Sequence, residues 1–86
     1  MAHTVHLRYF ASIREALGTG SETLTTEAAT IAQLRDELIA RGQAYAEVLA
    51  RGRAVRLALD QVMVVDEATA LPQDAELAFF PPVTGG

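Results

Sequence analysis

Thr30-Ile31-Ala32-Gln33-Leu34-Arg35-Asp36-Glu37-Leu38-Ile39 is the stretch on which the fold turns. Thr30 and Gln33 stand three apart, the spacing of a capping box. Ile31, Leu34, Leu38 and Ile39 then recur at i, i+3, i+7 and i+8, which is one face of a helix. Arg35, Asp36 and Glu37 are expected to point away from that face, and Gly42 to end the helix. A helix with a single apolar stripe must bury it against another element.

Outward from this helix in both directions lie strands. Upstream, Thr4 to Phe10 alternates, with Val5, Leu7 and Tyr9 on one face and His6, Arg8 and Phe10 on the other. Ser12-Ile13-Arg14-Glu15 has capping-box spacing and Gly18 supplies a stop, so Ser12 to Leu17 reads as a short helix. Ser21 to Thr25 reads as a second strand. Downstream, Ala44 to Arg51 forms a shorter helix with Tyr45, Val48 and Leu49 inward and Gly52 as its stop. Val55 to Leu59 and Val62 to Val65 are strands joined tightly through Asp60-Gln61. Asp66 to Asp74 is a turn-rich loop, and Ala75 to Phe80 is the last strand. The order β-α-β-α-α-β-β-β predicts an α+β domain, a small sheet covered on one face by the main helix.

Composition narrows the function. At 86 residues the chain is one domain, with half its residues hydrophobic and five aromatic. A chain of this size buries roughly 60–65% of its unfolded surface, enough for one small core. A net charge of −4 argues against nucleic acid and favours a basic-surfaced partner. With no cysteine there is no disulfide, thiolate metal site or cysteine nucleophile. All seven basic side chains are arginine, so no lysine is present to accept an isopeptide bond. The N-terminal stretch is polar and no segment approaches ~20 apolar residues, so neither a signal peptide nor a membrane span is expected, and a cytoplasmic location follows.

Strand parity marks one surface. If Val5, Leu7, Tyr9, Val62, Val64, Leu77 and Phe79 face the helix, then Phe10, Met63, Val65 and Phe80 face away. Phe10, Met63 and Phe80 would form an exposed apolar patch if their strands are neighbours, unless the short first helix or an edge loop covers them.

The remaining polar residues offer little chemistry. His3 and His6, three apart on a strand, point to opposite faces and do not converge on a metal. Asp66-Glu67 and Asp74/Glu76 lack an apolar pocket that would tune them for acid–base work. Ser12 and Ser21 have no histidine partner at suitable spacing, and the glycines do not make a phosphate loop. What remains is the end, Pro81-Pro82-Val83-Thr84-Gly85-Gly86. A glycine-rich end is also the composition of a frayed terminus. Here an apolar strand and two prolines precede it, and the prolines make a stiff, extended spacer. The glycines make a slim tip ending in the Gly86 carboxylate. A carboxylate becomes an electrophile once adenylated by ATP, and a sulfur donor displacing AMP would leave a thiocarboxylate. Gly-Gly suits entry into a narrow channel, where a side chain would hinder attack.

At this point the chain resembles, essentially end to end, the small ubiquitin-like sulfur-carrier subunits of molybdopterin synthase, the MoaD family. The resemblance is carried by Tyr9-Phe10-Ala11 with Arg14-Glu15, by Thr30, Leu34 and Arg35, by Leu59-Asp60-Gln61, and by Glu76 to Gly86 with its terminal Phe-Pro-Pro-Val-Thr-Gly-Gly. Asp60 departs from the family's usual asparagine. The resemblance implies a β-grasp fold with the first and last strands parallel and adjacent. Residues 1–80 would form the domain and 81–86 the extended tail. It implies an E1-like activating enzyme of the MoeB type that uses ATP to adenylate Gly86, and no cofactor bound by the chain itself. It further implies a large synthase subunit of the MoaE type, in a heterotetramer, holding the catalytic side chains. There the tail would donate sulfur to cyclic pyranopterin monophosphate, two donations building the dithiolene of molybdopterin. Carriers for thiamine, cysteine or tRNA thiolation share the fold and the Gly-Gly end. A protein modifier attached through Gly86 and a plain interaction domain are further alternatives.

Overall fold

In the computed structural model, which describes residues 2–50 and 54–82, the main helix lies against a mixed sheet. The elements in order are β1 (His3–Tyr9), α1 (Ala11–Leu17), β2 (Ser21–Thr26), α2 (Ile31–Ile39), α3 (Gln43–Leu49), β3 (Arg56–Leu59), β4 (Val62–Val64) and β5 (Ala75–Phe80). The sheet order is β2-β1-β5-β3-β4. β1 and β5 run parallel at its centre, Tyr9 opposite Phe79, and every other pairing is antiparallel. This is the ubiquitin-like β-grasp arrangement. Arg51, Gly52 and the tail Val83-Thr84-Gly85-Gly86 lie outside the described residues.

The core sits between the sheet and the helices. Val5, Leu7 and Tyr9 from β1 and Leu77 and Phe79 from β5 meet Ile31, Leu34 and Leu38 of α2. The short helices complete the layer with Ile13 and Leu49, and Leu71 closes one end from the loop. β1 therefore buries every second residue, as the alternation predicted, while β5 also buries Ala78 on its other face.

Caps explain the helix limits. The Thr30 hydroxyl accepts from the Gln33 N–H at 3.2 Å, while Gln33 Oε1 reaches one residue beyond the cap, to the Ala29 N–H at 2.7 Å. The loop supplies two further acceptors for the first turn: Ile31 donates to the Thr69 carbonyl and Ala32 to that of Glu67. Gly18, at φ 76°, closes α1 in the left-handed region where glycine is least penalised. The β3–β4 hairpin turns through Asp60 and Gln61, at φ 50° and 70°. Two positive φ values are what a two-residue type I′ turn requires.

Four expectations are corrected. Ser12 does not cap α1: it lies inside the helix, whose first turn instead donates to the Phe10 carbonyl. Gly42 does not stop α2, which ends at Ile39 with Ala40 as its cap. Gly42 precedes α3 with an extended φ of 167°. Val62, expected inward, is 67% exposed, because β4 is the outermost strand and lies beyond the helical cover. Arg35, expected outward, is only 3% exposed. Its Nε and Nη2 donate to the carbonyls of Leu49 (2.7 Å) and Ala50 (2.8 Å), and Nη1 to Glu67 Oε2 (2.7 Å). The guanidinium thus closes the C-terminal end of α3, where unpaired carbonyls and the helix dipole favour a cation.

Candidate functional site: the free sheet face at the root of the tail

β1 and β5 end side by side, and each ends on two consecutive aromatics. Because successive side chains alternate, the two strands build two tiers. Tyr9 and Phe79 point into the core, with ring centroids 5.7 Å apart. Phe10 and Phe80 point to the other side and stack at 4.6 Å, with 8° between their planes. Both rings are half-buried, and no helix covers them. Phe10 lies one residue past β1. Its N–H donates to the Phe79 carbonyl at 3.2 Å, which carries the β1–β5 ladder one step further. The next residue, Ala11, takes φ 52°, an unusual value for alanine that turns the chain sharply into α1.

Register then locates the third predicted patch member. Ala78 pairs with Ala58, and Ala58 with Met63. Met63 therefore shares the face of Phe80 but stands two strands away, not beside the stack. It is 55% exposed. Ala78 and Ala58, 4% and 5% exposed, lie low between Phe80 and Met63. Val65, just past β4, is 98% exposed. On this face the exposed apolar side chains thus fall into two groups, the Phe10–Phe80 stack and Met63 with Val65 at the β4 edge.

Pro81 and Pro82 leave from the end of β5, next to the stack. On the helical side they line an open cleft of about 250 Å³ with Ser12, Ile13, Val48, Ala54 and Val55. The tail therefore departs between two surfaces, an aromatic face and a cleft. Val83, Thr84, Gly85 and Gly86 lie outside the described residues.

Behind the stack, one partly buried carboxylate ties four segments together. Glu22 Oε2 accepts from the hydroxyls of Tyr9 (2.8 Å) and Tyr45 (2.9 Å), and Oε1 accepts from Arg41 Nη1 (2.7 Å). Burial alone would raise the Glu22 carboxyl, but the bonds from Arg41, Tyr9 and Tyr45 outweigh it and hold it below its ordinary value. Burial, and then the Glu22 charge, push the Tyr9 and Tyr45 hydroxyls up. Tyr9 is thus held at both ends, by the Phe79 ring and by Glu22. Sequence reasoning missed this cluster because its members come from β1, β2, the α2–α3 connection and α3.

The other candidate residues are accounted for locally. His3 Nε2 lies 2.7 Å from the Ala28 carbonyl, and His6 faces Thr23 and Asp74. Asp66 Oδ1 accepts from the Ala68 N–H, and Glu67 is held by Arg35. Asp60 takes up the asparagine's place in the turn: its N–H donates to the Glu76 carbonyl, and its Oδ1 accepts from the Glu76 N–H. No group of three or more metal-ligating side chains occurs among the described residues. No helix among them is long and apolar enough to cross a membrane.

Comparison with known proteins agrees with this geometry. The chain is 34% identical over 82 residues to the molybdopterin synthase sulfur carrier subunit of Haemophilus influenzae, covering 95% of this chain and 99% of that one. The solution structure of a Haloferax volcanii protein superposes with a TM-score of 0.83 at 28% identity, over 99% of this chain and 88% of that one. A Helicobacter pylori chain, solved in a complex of subunits 1 and 2 of molybdopterin-converting factor, superposes at 0.66 with 25% identity, over 96% and 99% of the two chains. The ThiS family profile matches residues 7–86, from the middle of β1 through the terminal glycines, and the chain belongs to that family.

Proposed function

We propose that this chain is the sulfur-carrier subunit of a molybdopterin synthase, working in the cytoplasm with Gly86 as its cargo site. Near-full-length identity to a molybdopterin synthase carrier supports the pathway. The observation that carries the mechanism is the outward Phe10–Phe80 stack at the point where the tail leaves. It gives a partner an apolar grip at the root of the tail. The large subunit takes that grip; the Helicobacter pylori chain, solved with subunit 2 of molybdopterin-converting factor, supports a partner of that kind. An ATP-dependent, E1-like enzyme uses the same grip at an earlier step.

The chemistry follows from the C-terminal carboxylate. One Gly86 oxygen attacks the α-phosphorus of ATP and pyrophosphate leaves, giving an acyl-adenylate. A reduced sulfur donor attacks the acyl carbon and AMP leaves, giving a thiocarboxylate. Its sulfur then displaces an oxygen substituent from a carbon of cyclic pyranopterin monophosphate in the large subunit, the C–O bond breaking and the oxygen leaving as the C–S bond forms. Hydrolysis of the resulting thioester leaves sulfur on the substrate and restores the carboxylate. The body supplies none of these reacting groups; it supplies position. Pro81 and Pro82 limit the conformations that must be lost when the tail is threaded, and Gly85 and Gly86 keep the tip narrow.

The test is reconstitution. The thiocarboxylated chain mixed with its cognate large subunit should convert cyclic pyranopterin monophosphate to molybdopterin. Removing Gly86 should abolish conversion while leaving the fold unchanged. Conversion that survives the deletion would refute the assignment.

A further inference from the structure

The described arginines fall into two groups. Arg35 and Arg41 are consumed inside the molecule, each 2.7 Å from a carboxylate. The other three, Arg8, Arg14 and Arg56, surround the Phe10–Phe80 stack. Arg8 holds its Cζ 5.7 Å from the Phe10 ring centroid. Its one ion pair among the described residues is a loose contact with Glu76 at 3.9 Å. Arg14 joins Arg8 in lining an open depression of about 330 Å³ beside Phe10, with Gly20 and Ser21 at its edge. Gly20 makes room for it, since a Cβ there would stand 3.2 Å from Arg14 Nε. Arg56 lies opposite Phe80 in register, on the other flank of the stack. Neither Arg14 nor Arg56 makes an ion pair among the described residues, and no acidic side chain lines the depression. Glu76, whose carboxylate Arg8 touches, stands four residues before Phe80 on β5.

The sign of this collar is opposite to that of the whole molecule. A net charge of −4 points to a basic partner, yet among the described residues this surface is where arginines stand without a close carboxylate. We propose that the arginine collar docks on an acidic rim, so that the partner receiving Phe10 and Phe80 presents carboxylates around an apolar socket. This rests on the reading of the chain as a carrier gripped by a large subunit. Arginine suits the role, because its planar fork binds carboxylate in two-point fashion and its face packs on aromatic rings. A protein fits better than nucleic acid. The two rings already cover each other's faces at 4.6 Å, leaving no platform between them for a base, and the net charge repels polyphosphate at longer range.

The experiment measures affinity for the cognate large subunit between about 0.1 M and about 1 M salt, where the Debye length falls from about 10 Å to about 3 Å. Each rim pair should contribute roughly two- to fivefold at low salt, so three together should give about tenfold or more. The Arg8→Gln/Arg14→Gln/Arg56→Gln variant should bind at low salt as wild type does at high salt, with a flattened salt dependence and unchanged thermal unfolding. Phe80→Ala should lose binding at every salt concentration. Wild-type affinity that is flat in salt, or Arg56→Glu binding more tightly, would overturn the collar while Phe80-dependent binding kept the carrier reading intact. Absence of any wild-type binding would sink the carrier reading itself. A labelled single-stranded oligonucleotide retained by wild type but not by the triple variant would move the assignment to nucleic acid.

Discussion

Adjacent residues in this chain have opposite duties, and substitution should separate them. Phe79 is fully buried and Phe80 stacks outside. Phe79→Ala should cost about 3–5 kcal/mol of stability, measured by urea unfolding, because it opens a core cavity. Phe80→Ala should leave the fold standing and weaken large-subunit binding at least tenfold by calorimetry, as truncation of a central aromatic anchor does. An unfolded Phe80→Ala protein would mean the ring is core. Arg35 carries a comparable structural burden. Arg35→Met should cost about 2–4 kcal/mol, because it removes the bond to Glu67 and uncovers the carbonyls of Leu49 and Ala50. The phenylalanines were legible because alternation in a strand fixes which face each residue takes. Arg35 was not, because helical periodicity scores it as polar and cannot show that the fold carries the end of α3 to it.

At the scale of elements, the two ends of the sheet differ in how firmly they are specified. The central strands matched their predicted limits closely, since both are paired on both sides and β1 also alternates strictly. The β4 edge was misread at Val62, because whether an inward residue is covered depends on how far the helices reach, not on the strand. The hairpin beside it holds Gln61 at φ 70°, where a Cβ is penalised. Gln61→Gly should therefore raise stability by about 0.5–1 kcal/mol in thermal unfolding, despite glycine's greater freedom in the unfolded chain. The Glu22 cluster joins β1, β2, the α2–α3 connection and α3. Its carboxyl titrates below its ordinary value of 4.5 in the folded state. Its stabilisation is thus complete above that pH and is lost as pH falls through the depressed folded value. Acid titration followed by circular dichroism should show Glu22→Gln less stable than wild type at neutral pH, with the gap closing below about pH 4. A gap that stays constant would show that the carboxylate's charge is not what holds the cluster.

As a whole, the molecule is a β-grasp body whose two central parallel strands finish together at the foot of a proline-stiffened tail. The order of elements and the terminal motif made this arrangement readable, since a single amphipathic helix on a short mixed sheet has few ways to bury its stripe. The arginine collar was not readable, because Arg8, Arg14 and Arg56 come from β1, α1 and β3 and meet only in the fold, and their sign runs against the net charge. On the proposed reading, this architecture serves one atom group, the carboxylate of Gly86. The direct test is the intact mass of the chain after incubation with its activating enzyme, ATP and sulfide. The account predicts a gain equal to one sulfur replacing one oxygen, confined to the C-terminal peptide and absent without ATP. An unchanged mass in the presence of an active enzyme and all reagents, or a sulfur found elsewhere on the chain, would contradict it.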